Sequence, residues 1–269
     1  MRHGAFLLLM ALSFAALAAP KADLWDRWAD TAPSKVAIDH AAWNGFLSRN
    51  VQPGADGINR IAYGKVSTAD REALTGYLKK MQAVPIRRFN RDEQRAYWIN
   101  VYNAATVQVV LDHYPVTSIM KIDISPGLFA KGPWKKKLLS IDGEKVSLDD
   151  IEHRILRPIW RDPRTHYAVN CASLGCPNLQ PQAFTSGNME ALLEAGARAY
   201  VNHARGTRVT RGRLHVSSIY VWFQRDFGGD DAGVIAHLQK YAEPALKKQL
   251  DGVRRIDADG YDWTLNDAK

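Results

Sequence analysis

Cysteine is scarce in this chain, which has two among its 269 residues. Both lie in one short segment, as Cys171 and Cys176. The four residues between them exceed the two that usually separate the cysteines of a dithiol redox motif. The close-spaced ligand pairs that are typical of structural zinc sites are also missing. The spacing therefore favours neither of these common cysteine motifs.

Long hydrophobic runs are lacking except near the start of the chain. Residues 5–17 are apolar apart from Ser13, but this run is shorter than the ~20 residues that a membrane span needs. Together with Arg2 and the small-x-small pattern at residues 16–18, it predicts a signal peptide over residues 1–18. We therefore expect an exported protein, periplasmic or secreted, with no membrane span after removal of the signal.

A concentrated basic region is absent too, although the formal net charge is +8. The excess is spread along the chain, and its densest cluster is Lys135–Lys137. A nucleic-acid-binding protein more often has one basic face with interleaved aromatic residues. We therefore expect no specific nucleic-acid partner, and the partner suggested by the chain is an unidentified small molecule or peptide.

Internal repeats, low-complexity tracts and a regular βαβ rhythm are missing as well, which favours one mixed α+β domain. The longest predicted helix begins at Asn90 and ends at His113, and its apolar residues surround most of its circumference. A helix of this kind belongs in the centre of a domain. Short β-hairpins are predicted around Asp142-Gly143 and Arg211-Gly212. We place an N-terminal arm and helix at residues 19–59 and the domain itself at 60–269.

The segment His166–Leu179, with the sequence HYAVNCASLGCPNL, combines the strongest signals. Residues 166–170 alternate in the manner of a half-buried strand. The small residues, Gly175 and Pro177 that follow predict a tight turn. A strand that ends in such a turn can hold polar side chains rigidly, so the segment predicts a functional site.

Three segments together resemble the family called domain of unknown function 547: Tyr97–Leu111, Val146–Pro158 and His166–Leu179. Residues 216–227 resemble the C-terminal part of the same family. The resemblance extends over roughly residues 60–240 and implies a domain that is sometimes joined to glutaredoxin-like modules, with no settled activity. The positions that match the family pattern are Asn100, Asn103, Glu152, His153, His166, Cys171, Cys176 and Pro177.

The first chemical hypothesis is a cysteine-dependent hydrolase or acyltransferase acting on amide or ester bonds. Cys171 would be the nucleophile, because it lies where backbone N–H groups or an imidazole can lower its pKa. His166 or His153 would be the base and Glu152 would orient it. The supporting residues would be Asn100, Asn103, Asn170, Ser173 and Cys176. This mechanism needs no metal and no cofactor.

Three alternatives remain open. A Cys171–Cys176 disulfide could stabilise a ligand- or partner-binding domain without catalysis. The same pair could perform thiol–disulfide exchange. Both cysteines could also join His153 and His166 in a zinc site. Asn100 and Asn103 would either hydrogen-bond neighbouring loops or orient a catalytic group. Asp226, which lies before Gly228-Gly229, would be either a helix cap or a site carboxylate, and the cap is the favoured interpretation.

Overall fold

A computed structural model describes residues 20–127 and 130–268. The predicted signal peptide lies outside the described residues. The described chain is a single α+β domain in which helices predominate and the sheets are small. None of its described helices is both long enough and apolar enough to cross a bilayer.

Nine α-helices follow one another in the described part of the chain: α1 (Ala41–Asn50), α2 (Thr68–Gln82), α3 (Arg91–His113), α4 (Arg157–Trp160), α5 (Thr165–Ala168), α6 (Met189–Val201), α7 (Ser218–Trp222), α8 (Asp231–Tyr241) and α9 (Pro244–Leu250). A π-helix at Asp150–Leu156 leads directly into α4. Short 3-10 turns lie at Asp26–Trp28, Tyr63–Lys65, Ile86–Arg88, Ile119–Lys121 and Gln224–Phe227.

Seven short strands form three separate sheets: β1 (Val51–Pro53), β2 (Asn59–Ile61), β3 (Leu139–Ile141), β4 (Glu144–Val146), β5 (Thr207–Thr210), β6 (Arg213–Ser217) and β7 (Ala258–Gly260). The pairs β1–β2, β3–β4 and β5–β6 are antiparallel hairpins, and β7 adds in parallel to β6. Both hairpins predicted from sequence are therefore confirmed.

Helix α3 is the central buried helix that the sequence predicts. The Asn90 side chain caps it by accepting hydrogen bonds from the backbone N–H groups of Asp92 and Glu93. Such a cap stabilises a helix by about 1 kcal/mol. Every residue from Glu93 to Val107 is buried, so helices and loops cover α3 on all sides.

The apolar interior consists of two clusters. The larger surrounds α3 and includes Trp28, Trp43 and Phe46 from the region preceding residue 60. The smaller joins α6, β6 and α8. The cysteine-bearing segment runs between them, because Tyr167 packs in the smaller cluster while Val169 packs in the larger.

The strand predicted at residues 166–170 is wrong. Residues Thr165–Ala168 form the short helix α5, and only the residues after it are extended. All of these side chains are buried, so the alternation of apolar and polar residues does not mark one buried and one solvent face. The turn after the extended residues, however, is present as predicted.

Candidate functional site

The two cysteines are joined by a turn with a strained backbone. Ala172 has a positive φ of 57°, which costs a non-glycine residue roughly 1 kcal/mol or more. Asn170 holds this turn, because its side-chain oxygen accepts from the N–H of Ala172 and its amide donates to the carbonyl of Pro177. A β-carbon at Gly175 would lie 2.7 Å from the backbone nitrogen of Asp262, so this position requires glycine.

The C-terminal tail of the described chain binds the other side of this turn. The N–H of Leu174 donates to the carbonyl of Thr264, and the N–H of Gly175 donates to that of Asp262, both at 2.8 Å. The tail thereby places Tyr261 over the cysteines. Its hydroxyl oxygen lies 2.9 Å from the sulfur of Cys171 and 2.9 Å from the hydroxyl of Ser173.

Cys171 and Cys176 are both free thiols in this structure. The structure therefore does not contain the Cys171–Cys176 disulfide that the sequence left open as an alternative. The thiols are nevertheless close, because the backbone N–H of Cys171 donates to the sulfur of Cys176 at 3.0 Å. Cys176 is buried whereas Cys171 is partly exposed.

The pKa values of the two thiols move in opposite directions. The pKa of Cys171 is lowered, chiefly by a hydrogen bond from the Cys176 thiol, with further contributions from the hydroxyls of Ser173 and Tyr261. Burial and the neighbouring Cys171 raise the pKa of Cys176 well above its usual range. Burial also raises the pKa of Tyr261, so its phenol stays neutral and can donate to a thiolate. The pair thus consists of one ionisable, accessible thiol and one protonated, buried thiol.

A second group of polar side chains lies on the π-helix Asp150–Leu156. Six of its seven residues are buried, and Glu152 and His153 are among them. The carboxylate of Glu152 accepts from the hydroxyl of Tyr102 at 3.0 Å. Burial lowers the pKa of His153 to about 4, so this imidazole is neutral at pH 7. Its Nδ1 lies 3.1 Å from the guanidinium of Arg157, and a ring nitrogen without a proton can accept a hydrogen bond from that group.

His166 lies between two carboxylates. Its Nε2 is 2.7 Å from Asp226, and its Nδ1 is 3.8 Å from Glu152. Asp226 also binds Arg157 at 2.6 and 3.2 Å, which together with His166 holds the pKa of this carboxyl well below its usual range despite partial burial. The interpretation of Asp226 as a helix cap is therefore wrong, and Asp230 caps α8 instead.

The catalytic pair predicted from sequence does not form. Within residues 20–127 and 130–268, no hydrogen bond joins Cys171 to either His153 or His166. The thiol is surrounded by hydroxyl groups, while the ring of His166 stacks on Phe223 with centroids 4.3 Å apart. Glu152 is close enough for its charge to oppose ionisation of Cys171. The four proposed residues therefore form two neighbouring groups, one around the thiol and one around the imidazoles.

The zinc hypothesis finds no support in the described part of the chain. No group of three or more His, Cys, Asp or Glu side chains is placed there to hold a metal ion. The polar atoms that the hypothesis required are already engaged, since Cys171 contacts Tyr261 and His166 contacts Asp226.

Asn100 and Asn103 hold loops, which was one of the two predicted roles. Asn100 exchanges two hydrogen bonds with the backbone of Phe184. Asn103 donates to the carbonyl of Ala168 and accepts from the N–H of Asn170. Asn103 therefore anchors the residues that lead into the cysteine turn, whereas Asn100 holds a loop further along the chain.

Sequence reasoning missed three residues of these groups: Tyr261, Arg157 and Tyr102. Tyr261 lies 90 residues from the cysteine that it contacts, and no local pattern marks it. Arg157 lies in the same stretch of the sequence as Glu152 and His153, four residues after the histidine. Its spacing of four from His153 is the available signal, because such residues are neighbours on a helix.

The fold and this turn define an α+β domain in which a tight turn brings two free thiols together, one buried and one partly exposed. Residues 86–201 match the model of the family described as "Protein of unknown function, DUF547", which confirms the resemblance inferred from the sequence. The match includes both cysteines, Glu152, His153 and His166, but not Asp226 or Tyr261. No curated protein and no solved structure matches the chain.

Proposed function

We propose that this domain is an exported thiol–disulfide exchange protein in which Cys171 attacks and Cys176 resolves. One observation carries the proposal: the turn holds a partly exposed Cys171 with a lowered pKa beside a buried Cys176 with a raised pKa, close enough for the Cys171 N–H to donate to the Cys176 sulfur. The attacking group in exchange is a thiolate, and its accessibility decides which disulfides it reaches. Four residues separate the cysteines, instead of the two that are usual in dithiol redox motifs, but the turn still brings the two thiols together.

The exchange requires only groups that the turn supplies. The Cys171 thiolate attacks one sulfur of a substrate disulfide, a new S–S bond forms, and the other substrate sulfur leaves as a thiolate. Cys176 then passes its proton to the thiolate released in the first step and attacks the sulfur of Cys171, which breaks the bond between Cys171 and the substrate and releases the second substrate sulfur as a thiolate. The products are a Cys171–Cys176 disulfide, one substrate thiol and one substrate thiolate that takes a proton from water, so the substrate gains the two electrons that the protein loses.

The donors around Cys171 also bear on the direction of the reaction. The Cys176 thiol and the hydroxyls of Ser173 and Tyr261 lower the pKa of Cys171 and so stabilise its thiolate, which exists only in the reduced protein. Tyr261 contacts the sulfur directly, and Ser173 donates to the hydroxyl of Tyr261. Stabilising the reduced form raises the reduction potential, so the disulfide form is expected to act as an oxidant of substrate thiols. The proposed location, periplasmic or secreted, rests on the pattern of residues 2–18 and is a compartment in which disulfides persist.

A cavity gives a substrate room beside the turn. It has a volume of about 240 Å³ and is lined in part by Gly175, Tyr261, Arg205 and Arg208. Gly175 belongs to the turn, and the hydroxyl of Tyr261 contacts the sulfur of Cys171. Neither cysteine lines the cavity, so a peptide or small molecule that occupies it would meet the cysteine turn through Gly175 and Tyr261.

The roles of the two cysteines can be tested with oxidised glutathione and intact-mass measurements. The reduced wild-type protein should lose two hydrogens and retain no adduct, because Cys176 resolves the intermediate. C176S should accumulate a glutathione adduct on Cys171, and C171S should form neither product. The proposal fails if C176S traps no adduct, or if the wild-type protein never forms the internal disulfide.

A cysteine-dependent hydrolase or acyltransferase is the second candidate. The observation that favours it is the closeness of the two groups: Glu152 lies within electrostatic reach of Cys171, although its charge opposes ionisation of the thiol, and it is 3.9 Å from His153 and 3.8 Å from His166. Such an enzyme needs Cys171 but not Cys176. Hydrolysis of an activated aryl ester that survives in C176A and is lost in C171A would favour this candidate, because exchange needs both thiols.

A further inference from the structure

A cavity distinct from the dithiol lies between the N-terminal arm and helix α4. It has a volume of about 380 Å³, and its walls include Ala22, Leu24, Arg157, Arg161 and Arg225. The arm is held by backbone hydrogen bonds in which Asp23 and Trp25 donate to carbonyls of the π-helix. These bonds fix every second residue of the arm, so Ala22 and Leu24 are the ones that line the cavity.

The charges of this cavity are unevenly balanced. Two acids line it, but Asp226 is bound by Arg157 and His166, and Asp162 is bound by Arg95 and Arg164. In the described part of the chain, Arg161 and Arg225 take part in no ion pair, although both lie on the cavity wall. The cavity therefore presents two guanidinium groups on exposed residues that form no ion pair of their own.

The backbone at Arg161 adds a second, independent observation. Arg161 ends helix α4 in the left-handed conformation, with a φ of 49°. Glycine is the usual residue at this position of a helix because it adopts the conformation without strain. Two of the other described non-glycine residues with positive φ, Asp142 and Arg211, lie in hairpin turns and are each followed by glycine. At Arg161 the left-handed conformation ends helix α4 with a non-glycine residue, and Arg161 lies on the wall of the cavity.

We propose that this cavity binds a small aliphatic carboxylate, with its charged end on Arg161 and Arg225 and its apolar end against Leu24. Guanidinium groups bind carboxylates through paired hydrogen bonds. Leu24 is 43% exposed, which is unusual for a leucine on a cavity wall and provides an apolar surface for the tail. The dithiol takes no part in this site, so the proposal stands or falls independently of the exchange activity.

The proposal can be tested by titrating the full chain with acetate, butyrate and inorganic phosphate at constant ionic strength. Binding is followed through the NMR signals of the arginine side chains. Butyrate should produce saturable shifts at Arg161 and Arg225 and should bind about threefold or more tighter than acetate, because added methylene groups are buried against Leu24. The variant L24S should reduce this preference for butyrate.

Charge removal provides the decisive comparison. The double variant R161Q/R225Q should bind butyrate at least tenfold more weakly, since it removes charged hydrogen-bond donors. R254Q is the matched control, because Arg254 is exposed and bonds only to a neighbouring carbonyl, and it should leave binding unchanged. Equal losses in both variants, or shifts that never saturate, would show unspecific attraction to a basic surface and overturn the proposal. Tighter binding of phosphate than of butyrate would overturn the ligand class.

Discussion

The hydroxyl of Tyr261 offers the sharpest test of how Cys171 is activated. Y261F removes one donor to the sulfur and keeps the ring, which packs on Trp222 and Trp263 with centroids 5.0 and 4.6 Å away. A hydrogen bond to a charged group contributes roughly 1.5 kcal/mol. This corresponds to about a tenfold change in the thiolate population. Below the pKa of Cys171, alkylation by iodoacetamide should therefore slow about tenfold in Y261F.

The pH dependence separates this effect from a general disturbance. At high pH the thiol is ionised in both proteins, so the two alkylation rates should converge. Y97F is the matched control, because it removes a buried phenol that donates to the carbonyl of Met81, away from the dithiol. Peptide mass spectrometry identifies Cys171 as the labelled residue. Equal rates for Y261F and the wild-type protein at every pH would refute the idea that these hydroxyls stabilise the thiolate.

Three further predictions concern stability and the cysteine turn. N100L and N103L should each lower the free energy of unfolding by about 2–4 kcal/mol, because both leave buried backbone groups unpaired. Only N103L should also alter the alkylation rate of Cys171, because Asn103 binds the residues that lead into the cysteine turn. D149N should stabilise the protein by about 1–2 kcal/mol at pH 7.5, by roughly half as much at pH 5 and hardly at all below pH 3.8. Burial and Glu152 raise the pKa of Asp149 from 3.8 to about 6, so the cost of its ionised form grows between these two pH values. Burial lowers the pKa of His153 to about 4, so between about pH 6.5 and 4 the unfolded chain binds a proton at this residue and the folded chain does not. The free energy of unfolding should therefore fall as the pH is lowered through this range. Urea titrations should show a smaller fall for H153Q.

The parts of the fold that depend on local patterns could be predicted from sequence. The cap at Asn90 and the apolar circumference of the following helix are contained within 25 residues or so, as are the turns at Asp142-Gly143 and Arg211-Gly212. The cysteine turn was predictable for the same reason, since small residues and proline limit the backbone locally. The strand predicted at residues 166–170 was wrong because the side chains there are all buried, so the alternation of apolar and polar residues does not correspond to a buried face and an exposed face.

The partners of the site residues could not be predicted, because sequence separation carries no information about them. Asp226 lies 60 residues from His166, and Tyr261 lies 90 from Cys171. The cysteine and histidine residues were expected to meet because each suited the same chemistry. The structure places each beside a different partner, a phenol for the thiol and a carboxylate for the imidazole.

The π-helix has a consequence for how changes in length would act on this protein. Its wider turns set the angular position of everything that follows, including Arg157 at the start of α4. A π-turn accommodates one more residue than the corresponding stretch of α-helix, so deleting one residue between 150 and 156 would restore ordinary helical winding and leave Arg157 close to its present angular position. Single deletions in this stretch should therefore be tolerated better than deletions in an ordinary helix such as α3, where the loss of one residue rotates everything that follows by about 100°.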